Sequence, residues 1–143
     1  MRKRRCIAKR SDPGVFKCTA ADLSHDGSML ALGDASGVVN MHILKGKEFD
    51  ENAILAKSIE NITTKVGTLS FGKKNELLAV GSKWKKNAFR LVHLPSFKAF
   101  SNFPGLKNNM KYPFCAAFSS DNSLLSVGND EGHCYLYRLP YYE

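Results

Sequence analysis

Leu23-Ser24-His25-Asp26-Gly27-Ser28-Met29-Leu30-Ala31-Leu32-Gly33 aligns with Phe71-Gly72-Lys73-Lys74-Asn75-Glu76-Leu77-Leu78-Ala79-Val80-Gly81. Both align with Phe118-Ser119-Ser120-Asp121-Asn122-Ser123-Leu124-Leu125-Ser126-Val127-Gly128. Each copy runs from a polar turn into a short, mostly apolar run and closes on glycine. The closing glycines Gly33, Gly81 and Gly128 lie 48 and 47 residues apart. A unit of roughly 40–50 residues built of short strands is the mark of a β-propeller blade. The fold class is therefore read as all-β, a partial propeller of about three four-stranded blades. Propellers typically have four to eight blades, so this chain reads as a piece of a larger ring or as one completed by another chain.

Outward from the repeat, the same plan extends along the chain. Residues 1–14 form a basic leader in which six of the first ten residues are Lys or Arg, and it is expected to be disordered. The blades are expected at about 15–57, 58–105 and 106–143. In the first, Phe16, Cys18 and Ala20 alternate with more polar neighbours, as in a half-buried strand. Gly33-Asp34-Ala35-Ser36-Gly37 turns into the strand Val38 to Leu44, and the polar stretch from Lys45 to Lys57 reads as a connecting loop. In the second, the turn Gly81 to Ala88 is two residues longer than its equivalent from Gly33 to Val38. Phe97 to Pro104 reads as that blade's outer strand, since Pro belongs at sheet edges. In the third, Cys115, Ala117 and Ser119 are expected on one face, and Phe114, Ala116 and Phe118 on the other. No segment sustains a period of 3.6 residues, so little helix is expected. A single blade cannot hide its apolar faces, and stacking blades buries them. Three blades alone would leave two faces open, which invites self-association.

The formal net charge is +8 and the pI is about 9.4, which favours nucleic acid or acidic proteins as partners. The leader fits a nuclear-targeting or nucleic-acid patch, and equally a solvated end. No apolar run approaches the roughly 20 residues of a membrane span, and Met1-Arg2-Lys3-Arg4-Arg5 lacks the apolar stretch of a secretory signal. No membrane contact is expected. Cys6, Cys18, Cys115 and Cys134 form no metal spacing with His25, His42, His93 or His133. They read as structural thiols, with Cys115 and Cys134 as small buried hydrophobes. That usage points to a reducing, intracellular compartment. Asn61-Ile62-Thr63 matches a glycosylation sequon and reads as chance.

Signatures for nucleotide, hydrolase or zinc-protease chemistry are absent from the sequence, so neither an enzyme, a cofactor nor a small-molecule substrate is expected. The candidate contact residues are Lys83, Trp84, Lys85 and Lys86, with Lys73, Lys74 and Arg90 nearby in sequence. An aromatic among lysines can stack on a base while the charges hold phosphate. The plainer use is an exposed loop with Trp84 over lysine stems or facing a protein partner. One aromatic is a weak stacking platform, which favours that use. Arg90 is expected to pair with a turn carboxylate such as Asp130. His42 and His93 read as structural, Asp26, Asp121 and Asp130 as turn residues, and Tyr135 and Tyr137 as closing the last blade. Tyr141 and Tyr142 could anchor a partner with them.

The repeat loosely resembles WD40 propellers, although the Gly-His and Trp-Asp signatures are missing. A more specific likeness lies between the second and third units. Asn87-Ala88-Phe89-Arg90-Leu91-Val92-His93-Leu94-Pro95-Ser96 followed by Phe100-Ser101-Asn102-Phe103-Pro104 resembles the U3 small nucleolar RNA-associated protein 18 family. Ser36-Gly37-Val38-Val39-Asn40, Glu76-Leu77-Leu78-Ala79, Gly128-Asn129-Asp130-Glu131-Gly132 and Leu136-Tyr137-Arg138-Leu139-Pro140-Tyr141-Tyr142 fit it in the same order. The resemblance spans roughly residues 30–143 and corresponds to that family's C-terminal blades. It implies a non-catalytic WD-repeat scaffold of the nucleus and nucleolus. The implied assembly is the small-subunit processome, within its UTP-B subcomplex, supporting pre-rRNA processing toward 18S rRNA. The implied partners are other UTP-B subunits, with U3 snoRNA or pre-rRNA touched through phosphates. The alternative is a WD-like adaptor in an unrelated complex, such as a ubiquitin-ligase receptor.

Overall fold

A computed structural model describes residues 17–44, 54–60, 62–94, 96–103, 105 and 109–139. The basic leader, Cys6, Asn61, Tyr141 and Tyr142 lie outside the described residues. Three antiparallel sheets follow one another along the chain. The first runs β1 (Cys18–Leu23), β2 (Met29–Asp34), β3 (Val39–Ile43) and β4 (Ile54–Ile59) in spatial order. The second is β5 (Thr68–Phe71), β6 (Leu77–Gly81), β7 (Phe89–His93) and β8 (Lys98–Ala99). The third holds β9 (Pro113–Phe118), β10 (Leu124–Asn129) and β11 (Cys134–Arg138). Among the described residues there is no helix.

One expectation is corrected. The stretch read as a loop from Lys45 to Lys57 contains part of β4, whose Ile59 pairs with Val39 and Ile54 with Ile43. An edge strand tolerates polar and charged residues because one of its sides faces no partner. Lys57 within it and the charged run from Lys45 to Glu51 before it therefore hid the pairing signal. The expected outer strand after Pro95 is present but brief, with only Lys98 and Ala99 in β8.

The three turns that open the repeat are built alike. Gly27 N–H donates to Ser24 C=O, Asn75 N–H to Gly72 C=O and Asn122 N–H to Ser119 C=O. Gly27, Asn75 and Asn122 all have positive φ, a conformation that Gly and Asn tolerate best. Leu44, Leu94 and Leu139 then close each unit by donating to the carbonyls of Ser28, Glu76 and Ser123. In the first and third turns an aspartate organises the corner. Asp26 Oδ1 accepts from Ser28 N–H at 2.9 Å and from the hydroxyls of Ser24 and Ser28. Asp121 Oδ1 accepts equivalently from Ser123 N–H and from the Ser119 and Ser123 hydroxyls. These bonds, led by the Ser28 and Ser123 hydroxyls, hold both carboxyls well below the usual carboxylate range.

Alternation within the strands creates the stack. In β6, Leu78 and Val80 enter a core with Ala31, Val39, Met41 and Val92 of the first and second sheets. Leu77 and Ala79 enter a second core with Phe89, Leu91, Phe118, Leu125 and Val127. The middle sheet is thus covered on both faces, and all of β6 is buried. In the third sheet β11 alternates in exposure, and in the first β1 varies in exposure while β3 is buried from Val39 through His42. The first strands of the sheets, β1, β5 and β9, lie beside one another. Polar latches tie the sheets where these strands meet. Asp22 Oδ2 accepts from Phe71 N–H at 2.8 Å, and the buried Asn122 Oδ1 accepts from Lys73 N–H at 2.8 Å. Gly72 permits that approach, because a Cβ there would sit 2.8 Å from Asn122 Oδ1.

Two outcomes are expected. Leu78→Ala should cost about 2–5 kcal/mol in chemical denaturation followed by circular dichroism, whereas Leu136→Ala should stay within about 0.5 kcal/mol. The contrast follows from burial, since Leu78 is fully buried and Leu136 is 67% exposed. The second concerns acid. A carboxyl depressed on folding stabilises fully above its unfolded value near 4 and loses that contribution as pH falls further. Asp26→Asn combined with Asp121→Asn should lower stability at neutral pH and flatten its fall below about pH 4, read from denaturation midpoints.

Candidate functional site

At the end of β6 the chain departs from its own repeat. The residue after the closing glycine is Asp34 in the first unit, Ser82 in the second and Asn129 in the third. Asp34 Oδ1 accepts from Ser36 and Val38 N–H at 2.9 and 3.0 Å. Asn129 Oδ1 accepts from Glu131 and His133 N–H at 3.0 and 2.9 Å. These side chains knit five-residue turns. At this corner Asn129 acts as the turn residue, the role expected of Asp130. Ser82 is shorter, and its loop is two residues longer. Its buried hydroxyl turns instead to the β4–β5 connection, donating to Lys65 C=O at 2.6 Å with Thr64 Oγ1 at 2.7 Å. Trp84 N–H reaches the same Ser82 oxygen at 3.4 Å.

The far side of the loop is tied to the approach to β9. Asn87, at φ 59°, donates its N–H to Lys111 C=O at 2.7 Å, and its Oδ1 accepts from Met110 N–H at 2.7 Å. Three connections therefore meet at one end of the stack, from 62–67, 82–88 and 110–113. Trp84 stands 58% exposed on this end, with Phe114 at 46% and Tyr112 at 38%. Lys65 Nζ lies 5.4 Å and Lys83 Nζ 5.5 Å from the Trp84 ring centre. Lys83 Nζ is also 5.3 Å from the Phe114 ring centre. Lys85 Nζ lies 3.3 Å from Thr63 Oγ1, and Lys86 is exposed. Among the described residues His133 Nδ1 lies 3.9 Å from Glu131 Oε2, and no ion pair is made by Lys65, Lys83, Lys85, Lys86 or Lys111. Asp130 borders the area, its carboxylate accepting from Tyr112 N–H at 3.4 Å. The arrangement presents lysine charges over partly exposed aromatic rings, with the Asp130 carboxylate at its edge. It can hold anions and flat rings.

The sequence singled out Lys83, Trp84, Lys85 and Lys86, and all four share this loop. It missed Lys65, Lys111, Tyr112 and Phe114, which arrive from other connections, and Ser82 as the residue beneath them. Lys73 and Lys74 belong to the β5–β6 turn at the opposite end of β6, so they do not join the patch. Arg90 is corrected: its Nη1 donates to the adjacent Phe89 carbonyl at 2.8 Å, while Asp130 serves Tyr112. His93 Nδ1 lies 3.0 Å from Ser96 Oγ, and His42 is buried within β3. Tyr137 packs beside the second core. Cys115 and Cys134 are corrected too. Both are free and exposed, because they lie on the face of the third sheet that no sheet among the described residues covers. They flank Gly128 across adjacent strands and line an open hollow of about 400 Å³ with Ala117, Ser126 and His133.

No family model matches the chain. Over 144 residues, all of this chain, it is 33% identical to the U3 small nucleolar RNA-associated protein 18 homolog of Arabidopsis thaliana, covering 26% of that protein. Over 140 residues, 97% of the chain, it is 36% identical to the human homolog, covering 25% of it. The Saccharomyces cerevisiae protein of that name is 32% identical over 127 residues, 87% of the chain and 21% of its own length. The chain is related in sequence to the U3 small nucleolar RNA-associated protein 18 family. It spans about a quarter of the length of the curated relatives it matches. Among solved structures, the β-propeller domain of Myceliophteria thermophila Cps50 (Swd1) superimposes with a TM-score of 0.64 at 16% identity, over 85% of this chain and 36% of that one. The three sheets are thus blades of a β-propeller fold.

Ser82→Ala removes the hydroxyl that joins the loop to Thr64 and Lys65. It should cost about 0.5–1.5 kcal/mol, measured by denaturation, because the part-buried Lys65 carbonyl loses its donor. The Trp84 emission maximum should shift as the loop loosens, while β-sheet circular dichroism stays unchanged.

Proposed function

We propose that this chain is a non-catalytic scaffold segment of the small-subunit processome. In this reading it acts in the nucleolus, within the UTP-B subcomplex around U3 snoRNA, in support of pre-rRNA processing toward 18S rRNA. The observation that supports it is similarity over essentially the whole chain to relatives from plant, human and yeast that carry the U3 snoRNA-associated name. A stack of blades suits the task, since it offers broad rigid surfaces and loops at both ends. Its units are taken as 15–57, 58–105 and 106–143, after a basic leader at 1–14. Lys83, Trp84, Lys85 and Lys86 form the contact surface toward RNA or a processome protein.

The test is recovery of the intact protein from cells under native conditions, with its RNA and protein companions identified. U3 snoRNA, pre-rRNA and UTP-B subunits should be enriched, and depletion of the protein should lower 18S rRNA output. Recovery of an unrelated complex with no U3 snoRNA would overturn the reading in favour of a general adaptor.

A further inference from the structure

We infer that the end of the blade stack bearing Trp84 and Phe114 is a binding surface for single-stranded RNA. This deepens the functional reading above and rests on it for one premise, that RNA is the anionic partner at hand. Lys83 lies 5.5 Å from one ring centre and 5.3 Å from the other, so the two rings stand no more than about 11 Å apart. Bases of one strand can therefore reach both rings, the flexible lysine side chains over them moving aside to the flanking phosphates. The sequence alone offers a single aromatic in the basic loop. The fold adds Phe114, and Tyr112 with it, which answers the weakness of a one-ring platform.

The charges argue in the same direction. Two ammonium groups, Lys65 and Lys83, crowd one tryptophan ring, and among the described residues no carboxylate pairs with either. A phosphate at the ring's edge can draw on both charges. Lys85 and Lys111 extend the positive surface along both anchored connections. Exposed rings select a single strand over a duplex, because bases in a duplex are already stacked on one another. An acidic peptide would satisfy the lysines and leave the rings without partners. Lysines meet phosphates as point charges and rings accept any base, so little sequence preference is expected. The anchoring bonds at Ser82 and Asn87 hold the loop before RNA arrives, which lowers the ordering entropy of binding.

Trp84 is the chain's one tryptophan, so its emission reports occupancy directly. The full chain is titrated with a single-stranded oligouridylate of about 12 nucleotides, with an RNA duplex, and with polyglutamate. Saturable quenching by the single strand is expected, at least about 10-fold tighter than any effect of the duplex. Read by anisotropy of labelled RNA, Trp84→Ala should weaken binding about 10-fold while Trp84→Phe keeps most of it. Lys65→Gln and Lys83→Gln should each lower the salt slope by about 0.7. Equal affinity for duplex with no effect of Trp84→Ala overturns the inference and leaves a plain charge patch. Stronger quenching by polyglutamate than by RNA overturns it in favour of a protein partner. Oligonucleotide binding without U3 snoRNA recovery from cells sinks the processome reading and leaves this surface standing. The opposite pair of results sinks this surface alone.

Discussion

Mutual burial of sheet faces is the constraint on which the rest of this structure depends. A three- or four-stranded sheet has two faces and no way to fold back on itself. Each large aliphatic or aromatic side chain taken from water contributes roughly 1.5–3 kcal/mol. The exposed lysine–tryptophan contacts are worth about 0.5–1 kcal/mol apiece. Packing therefore holds the stack, and the surface contacts only pose side chains upon it. The middle sheet shows the principle best, because Leu77 and Leu78, adjacent in sequence, serve different cores. Asp22, Asn122 and Thr19 add direction. Their bonds to the neighbouring sheet fix how one blade sits on the next.

The same constraint explains the surfaces left open. Leu23 is exposed at the edge of the first sheet and Ile43 at the end of β3, while Leu136, Cys115 and Cys134 lie on the face of the third sheet that no sheet among the described residues covers. The hollow around Gly128 belongs to this group. It is a bare blade face rather than a chemical site, with a glycine in the middle strand and thiols on either side. The relatives are about four times as long as the matched span, and a longer propeller has further blades with which to cover such faces.

The candidate surface arises from a departure within a regular scheme. In two blades the turn after β2 or β10 is closed by a side chain that bonds its own backbone. In the middle blade Ser82 bonds the neighbouring connection, and two added residues lift Trp84 and its lysines outward. Regular packing elsewhere makes this local irregularity affordable in stability. It also keeps the aromatic and charged groups on a rigid base.

Much of this was legible in order along the chain. The spacing of Gly33, Gly81 and Gly128, the polar turns and the apolar runs specify short strands and repeated sheets, because period and turn chemistry are local properties. The basic loop at 83–86 was legible for the same reason. What joins distant residues was not. Strand β4 hid among charges because an edge strand needs only one paired side. Cys115 and Cys134 looked buried because alternation says that two faces differ, and not which of them meets a neighbour. Arg90 found its acceptor next door rather than at Asp130. Lys65, Phe114 and Trp84 come together only once the blades stack. The sequence by itself determined the strands, the turns and the repeat. The tertiary structure alone decided which faces are covered and which side chains share one end, since contacts between blades carry no signature in spacing along the chain.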